Sequence, residues 1–127
     1  MSIDLFASLS PLERVLDFHM ARHNVLAANL ANAETPGFRP RDLRFDALLD
    51  NATALVRTDQ GHLAGAETPP GTTLTEDEAM VGPDQNGVRL EQVMAQITAN
   101  RLRYETGVEL ARRRLALLRY AATDGSP

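Results

Sequence analysis

The chain has no cysteine, no tryptophan and no lysine. The missing cysteine excludes disulfides, thiolate metal sites and a cysteine nucleophile. Four phenylalanines and two tyrosines among 127 residues leave little with which to build a dense aromatic centre, because each large ring would bury roughly 150–250 Å². The apolar content, 43% of the chain, is mostly Leu, Ala and Val spread along two segments, a pattern that favours stripe-like helix packing. All thirteen basic residues are arginine, which composition bias of the genome explains without any function. No run reaches the roughly 18 apolar residues of a membrane span. The opening MSIDLFASLSPLERVL lacks the basic start and unbroken apolar core of a cleaved signal. A cytosolic chain is expected, or one that leaves by a route reading no such signal.

Charge is unevenly placed. The formal net charge is −4, yet from Asp46 to Gly87 the acids Asp46, Asp50, Asp59, Glu67, Glu76, Asp77, Glu78 and Asp84 face Arg57 alone. From Val88 to Ala122 arginines outnumber Glu91, Glu105 and Glu109. Such asymmetry marks a nucleic-acid or membrane contact, or ends that meet different neighbours.

Two stretches read as helix. Ser10-Pro11-Leu12-Glu13 predicts a start, with Ser10 as cap, Pro11 in the first turn and Glu13 reaching back as a capping box. Behind it Leu12, Leu16, His19, His23, Leu26 and Leu30 alternate steps of four and three, widened by Val15 and Ala27 into an apolar stripe. The C-terminal third is more strongly patterned. Leu90, Met94, Ile97, Arg101, Tyr104, Val108, Ala111, Leu115, Leu118 and Ala122 repeat like a coiled-coil seam, predicting a helix from about Val88 to about Thr123. At roughly 1.5 Å per residue it is near 50 Å long. Gly107 inside it predicts a bend or a close helix contact.

Between the helices, from about Ala52 to Gly87, nothing is strongly periodic. Pro69-Pro70-Gly71 and the acidic Glu76-Asp77-Glu78 predict an irregular segment or a small β-hairpin, too long for an ordinary connection. The expected fold is mainly α: two long terminal helices packed as an antiparallel, coiled-coil-like hairpin around an irregular or small β middle. The organisation divides as 1–33, 34–87 and 88–127. One hairpin with one shared seam buries too little surface to offset chain entropy comfortably, so the chain reads as a subunit that finishes folding against copies or relatives.

Chemistry finds little purchase. His19 and His23 share a helical face, as metal ligands do, but Met20 stands where an HExxH zinc site needs its glutamate. Two polar seam residues that set register are the plainer interpretation. Arg112-Arg113-Arg114 suits phosphate, yet no aromatic ladder interleaves, and a solvated face near the helix C-terminus explains it as well. Arg101, on the expected seam, needs a carboxylate or a rim position. Ser8 and Ser10 lack a base and no phosphate loop is present, so neither an enzyme nor a cofactor is expected.

The stretch NLANAETPGF, residues 29–38, is distinctive. Asn29, Ala31 and Asn32, followed by Thr35-Pro36-Gly37-Phe38, resemble the N-terminal signature of the bacterial flagellar rod and hook axial proteins, particularly their short proximal-rod members. Arg41-Asp42-Leu43-Arg44-Phe45, Thr58-Asp59 with His62-Leu63, and the run from Asp84 through Leu90, Glu91 and Met94 to Asn100 and Tyr104 continue the likeness along nearly the whole chain. It departs at Gln85, Gly87, Arg89 and Val93.

Residue chemistry predicts a type II turn at Thr35–Phe38, with Gly37 at positive φ. Asn32 would tolerate a left-handed helix end, and Asn29 and Asn32 would bond freed backbone groups. Phe38 would anchor the exit by packing. The resemblance implies a structural subunit of the flagellar basal body rod, where the terminal helices form an inner tube and transmit torque. Leu12, Leu16, Leu26 and Leu30 would oppose Leu90, Met94, Ile97, Tyr104, Val108, Leu115 and Leu118. Other rod proteins, copies of the chain, membrane-ring base components and the flagellar type III export apparatus would be its partners, with no nucleic acid and no membrane insertion. A soluble helical adaptor or export chaperone gripping an acidic client remains the alternative.

Overall fold

The computed structural model describes residues 9–45, 69, 71–82 and 88–123. Along them run helix α1 (Ser10–Ala31), strand β1 (Arg41–Phe45), strand β2 (Thr72–Glu76), a 3-10 turn (Glu78–Met80) and helix α2 (Leu90–Ala122). The protein is mainly α, with two packed helices and a small antiparallel sheet between them in the chain. The segments Thr58–Leu63 and Asp84–Gly87, which carry part of the family likeness, lie outside the described residues.

The start of α1 differs from the expected capping box. Ser10 is already helical, Leu9 is the flanking residue, and no side chain caps the end. The Glu13 N–H donates to the Leu9 carbonyl at 3.0 Å. Pro11 does sit in the first turn, where its missing N–H forfeits no intrahelical bond. α2 begins a little after Val88, because Val88 forms an antiparallel bridge with Val81. The Arg89 N–H donates to the Met80 carbonyl at 2.6 Å, holding the helix entry against the 3-10 turn.

The helices are antiparallel: Leu26 shares a cluster with Val93, His19 meets Asn100, and Leu16 lies against Gly107. A methyl group at Gly107 would stand 2.9 Å from Leu16 Cδ2. Gly107 therefore stands at a close helix contact, the second of the two outcomes expected for it. The core lies near the junction end of the hairpin. Leu26, Met80 and Val93 are fully buried there, joined by Val88, with Leu30, Ala33, Phe38 and Ile97 packed around them. Burying each such large side chain contributes roughly 1.5–3 kcal/mol.

The sheet lies along α1. β1 pairs with β2 from Arg41↔Glu76 to Phe45↔Thr72, and the Phe45 ring meets Phe18 edge-on at 5.5 Å. α1 thus has two working faces. One, through Leu16, His19, Leu26 and Leu30, turns to α2; the other, through Phe18, Arg22 and Asn29, turns to β1.

The helices are unequal, 22 residues against 33, or about 33 Å against about 50 Å. With Leu16 level with Gly107, the last turns of α2 run past the described part of α1. The contact on α2 also runs differently from the expected seam. Ile97, Tyr104, Val108, Ala111 and Leu118 are half-buried, but Val93 and Asn100 are the fully buried positions. Leu90, Met94 and Leu115 stand 52%, 49% and 47% exposed in the single chain. Arg101 is not buried; it pairs with Glu105 one turn along its own helix, in solvent.

Candidate functional site

The junction behind α1 is the most organised polar region among the described residues. α1 ends at Ala31, and Asn32 follows at φ −102°, ψ 16°. The expected left-handed residue is therefore absent at this position. Asn32 closes the helix by other means: its backbone N–H donates to the Ala28 carbonyl at 3.1 Å, and its side-chain Nδ2 donates to the same carbonyl at 2.8 Å. Its Oδ1 accepts from the Thr35 hydroxyl at 3.3 Å, and its carbonyl accepts from the Thr35 N–H at 3.0 Å. One short side chain thus adds a second donor to the last-turn Ala28 carbonyl and holds Thr35.

Thr35 to Phe38 then makes the turn. The Phe38 N–H donates to the Thr35 carbonyl at 3.2 Å, and Gly37 lies at φ +74°, the geometry of type II with Pro36 ahead of the glycine. Phe38 packs against the core cluster, as expected of it. Ala31 is exposed.

A Cβ at Gly37 would meet no atom within 4 Å, so only backbone strain opposes a side chain. Gly37→Ala and Gly37→Val should each lower stability, alanine by roughly 1–2 kcal/mol, read as the shift in a thermal unfolding midpoint. A neutral alanine variant would show that the positive φ is not what this position demands.

Asn29 does the joining. Its side chain is 1% exposed. Nδ2 donates to the Arg41 carbonyl at 2.6 Å, and Oδ1 accepts from the Arg41 N–H at 2.9 Å. The amide therefore acts as a strand partner for the first residue of β1. Nδ2 also lies 3.7 Å from Met80 Sδ, tying in the 3-10 turn. One helical turn pair earlier, Arg22 holds Asp42 through two bonds of 2.8 Å, and Asp42 Oδ1 accepts from the Leu43 N–H as well. The signature is a latch: it ends a helix, reverses the chain and clamps the returning strand to the helix just left.

Sequence reasoning expected Asn29 and Asn32 both to bond backbone at the helix end; Asn32 bonds Ala28 there, whereas Asn29 reaches the Arg41 backbone of β1 instead. That reasoning missed the Arg22–Asp42 clamp. The stripe Phe18, Arg22, Val25 and Asn29, at steps of four, three and four, carries the signal, but its chemistry is mixed and an apolar count passes over it. The histidines separate. His19 is nearly buried and its Nδ1 lies 2.8 Å from Asn100 Oδ1, while Asn100 Nδ2 donates to the His19 carbonyl at 2.8 Å. Because the Asn100 amino group is used on that carbonyl, its oxygen faces the ring and His19 Nδ1 is the donor. His23 is exposed, so only His19 acts as a buried polar seam residue. Both line a cleft of about 250 Å³ with Met20, Arg101 and Tyr104. No group of three or more His, Cys, Asp or Glu capable of holding a metal occurs among the described residues.

Comparison with known proteins falls on the same stretch. Residues 20–39 match the family model described as "Flagella basal body rod protein", a span running from the middle of α1 through the turn. Over 110 residues the chain is 32% identical to the flagellar basal body rod protein FlgB of Aquifex aeolicus (strain VF5), covering 86% of this chain and 87% of that one. It is 32% identical over 117 residues to FlgB of Aeromonas hydrophila, with the same coverage of 86% and 87%. FlgB of Escherichia coli (strain K12) is 33% identical over 115 residues, covering 80% and 82%. With the latch, the two-helix fold and this likeness along both chains in hand, the protein belongs to the FlgB family of flagellar basal body rod proteins, non-enzymatic structural subunits of the rod.

Proposed function

We propose that this rod subunit assembles helically with other rod proteins and with copies of itself. The terminal segments 1–33 and 88–127 form its inner layer, and the junction places residues 34–87 outside it. The observation that carries this is the surface of α2: Leu102, Leu110, Leu115, Leu117 and Tyr120 are 64%, 51%, 47%, 69% and 59% exposed in the single chain. A helix with apolar residues on several sides belongs among several neighbours. Its half-exposed Leu90 and Met94 then serve contacts between subunits, and heterologous contacts that do not close build open helices. Torque from the base reaches the more distal rod through this layer, with membrane-ring components as neighbours at the base. Export through the flagellar type III apparatus fits a cysteine-free chain whose small core unfolds readily.

Electron microscopy of basal bodies from a strain lacking this gene tests the proposal. Membrane rings without rods or hooks, with motility restored by the gene, are expected. Intact rods in that strain would leave the soluble adaptor, which predicts a discrete, folded dimer of the purified chain.

A further inference from the structure

α2 carries apolar surface on two sides. Towards α1 it presents Val93, Ile97, Asn100 and Gly107. On another side Ala99, Leu102, Thr106, Leu110, Leu117 and Tyr120 are all exposed. At about 100° per residue these six fall within about 80° of one another, interrupted by Arg113, roughly opposite the first set. Apolar content alone does not separate the two sides: Val93, Ile97 and Tyr104 stand against Leu102, Leu110 and Leu117. Hydrophobic burial is non-directional and follows area. Yet Leu16 and Leu26 of α1 pack on one side only.

The sides differ at one polar position. The buried polar residues of the two helices are His19, Asn29 and Asn100, and Asn29 turns to β1. His19 and Asn100 are left to each other. The His19 Nδ1–H donates to Asn100 Oδ1, and Asn100 Nδ2 donates to the His19 carbonyl, both at 2.8 Å. A side chain 1% exposed thus has both ends of its amide used. On the outer stripe the residues level with Asn100 are Ala99 and Leu102, whose side chains accept no hydrogen bond. Thr106 stands about 9 Å further along the axis. α1 laid on that stripe would bury the His19 N–H with no acceptor, and a buried polar group left unpaired costs more than a satisfied one returns.

We infer that His19 and Asn100 determine which side of α2 is covered by α1. The pair is a specificity device: it turns Asn100 inward and keeps Leu102, Leu110 and Leu117 exposed, on a helix that apolar matching alone would let α1 approach from either side. A buried asparagine acts in this way in coiled coils, where it fixes register and partner at a cost in stability. The inference concerns the single chain and stands apart from the assembly proposed above, which uses the surface left exposed.

A chain without cysteine accepts a clean reporter. Val93→Cys puts a thiol on the covered side and Thr106→Cys one on the exposed side, each in the purified full chain, and their rates of maleimide labelling are compared. Without further change, position 106 should react at least about a hundred-fold faster than position 93, because labelling a buried thiol requires local opening. His19→Leu with Asn100→Leu should keep the thermal unfolding midpoint near that of wild type, since replacing both partners by apolar groups is nearly neutral. Its ratio of rates should nevertheless fall at least about ten-fold, as either side of α2 then turns inward. A second variant moves the amide. Ala99→Asn with Asn100→Ala conserves composition and carries it about 100° round the helix to the outer stripe, where the order of the two rates should invert. Should one variant not fold, the other decides. Either variant folding with the unchanged ratio overturns the inference, because apolar matching or the chain connections then choose the side. Loss of the folded state in both overturns it as well, because the pair is then a source of stability and not of choice.

Discussion

Asp42→Ala should lower the unfolding free energy by about 3 kcal/mol, the low end of the range for breaking a buried ion pair. Arg22 Nε and Nη2 each donate to one Asp42 oxygen at 2.8 Å, and the two side chains are 14% and 9% exposed. Removing the carboxylate leaves a guanidinium enclosed with no partner and takes the acceptor from the Leu43 N–H. The residual exposure of Arg22 lets water recover part of the loss, hence the low end. In a domain of this size the midpoint of thermal unfolding should fall by more than about 10 °C. Replacing both partners, as Arg22→Met with Asp42→Leu, should recover most of the stability, because no uncompensated charge then remains. A double variant as weak as the single one would mean the pair contributes through some other contact. A single variant within about 0.5 kcal/mol of wild type would show that the clamp is open in solution.

Asn29→Ala is expected to cost about 2–3 kcal/mol. The amide satisfies both the N–H and the carbonyl of Arg41, and leaving such groups unpaired costs about 1–3 kcal/mol each where water is excluded. Arg41 itself is exposed, so water reaches part of the gap and the two costs do not add in full. Asn29→Asp keeps the acceptor but replaces the donor with a second acceptor facing a carbonyl, and should be at least as damaging. Asn29→Gln keeps both groups at the wrong reach. Hydrogen exchange gives the sharpest measurement. In Asn29→Ala the amides of Arg41 and Leu43 should exchange at least ten-fold faster, as about 1.4 kcal/mol of local stability corresponds to a factor of ten. If those amides keep their protection while stability falls globally, the strand is held by β2 and the latch is subsidiary.

Both variants act on the same device, and that device explains the form of the signature. A tight turn alone needs only the proline and glycine. Two asparagines are required because the chain does two further things there: Asn32 seals the helix end, and Asn29 receives the strand that comes back. The side chains work over short distances against backbone groups, so they are legible as motif chemistry before any fold is known.

The sequence by itself determined the two helices, the type II turn, the family and the absence of thiol chemistry. Each depends on local rules: periodicity over a few turns, a proline's fixed φ, a glycine's freedom, a residue type that is missing. Only the tertiary structure decided which residues of α2 meet α1. Of the expected positions, Ile97 packs with the cluster that holds Leu26 and Tyr104 lines the cleft beside His19. Elsewhere Val93 and Asn100 are buried where Met94 and Arg101 were expected, and Gly107 lies against Leu16 beside the half-buried Val108. An apolar count prefers a methionine and a valine to an asparagine and a glycine, because it values each residue alone. Asn100 is buried because His19 stands opposite to satisfy it, and Gly107 is in the contact because Leu16 fills the space its missing side chain leaves. Polar complementarity and close approach are properties of pairs. The partner of each pair lies some eighty or ninety positions away along the chain, where no local pattern reaches.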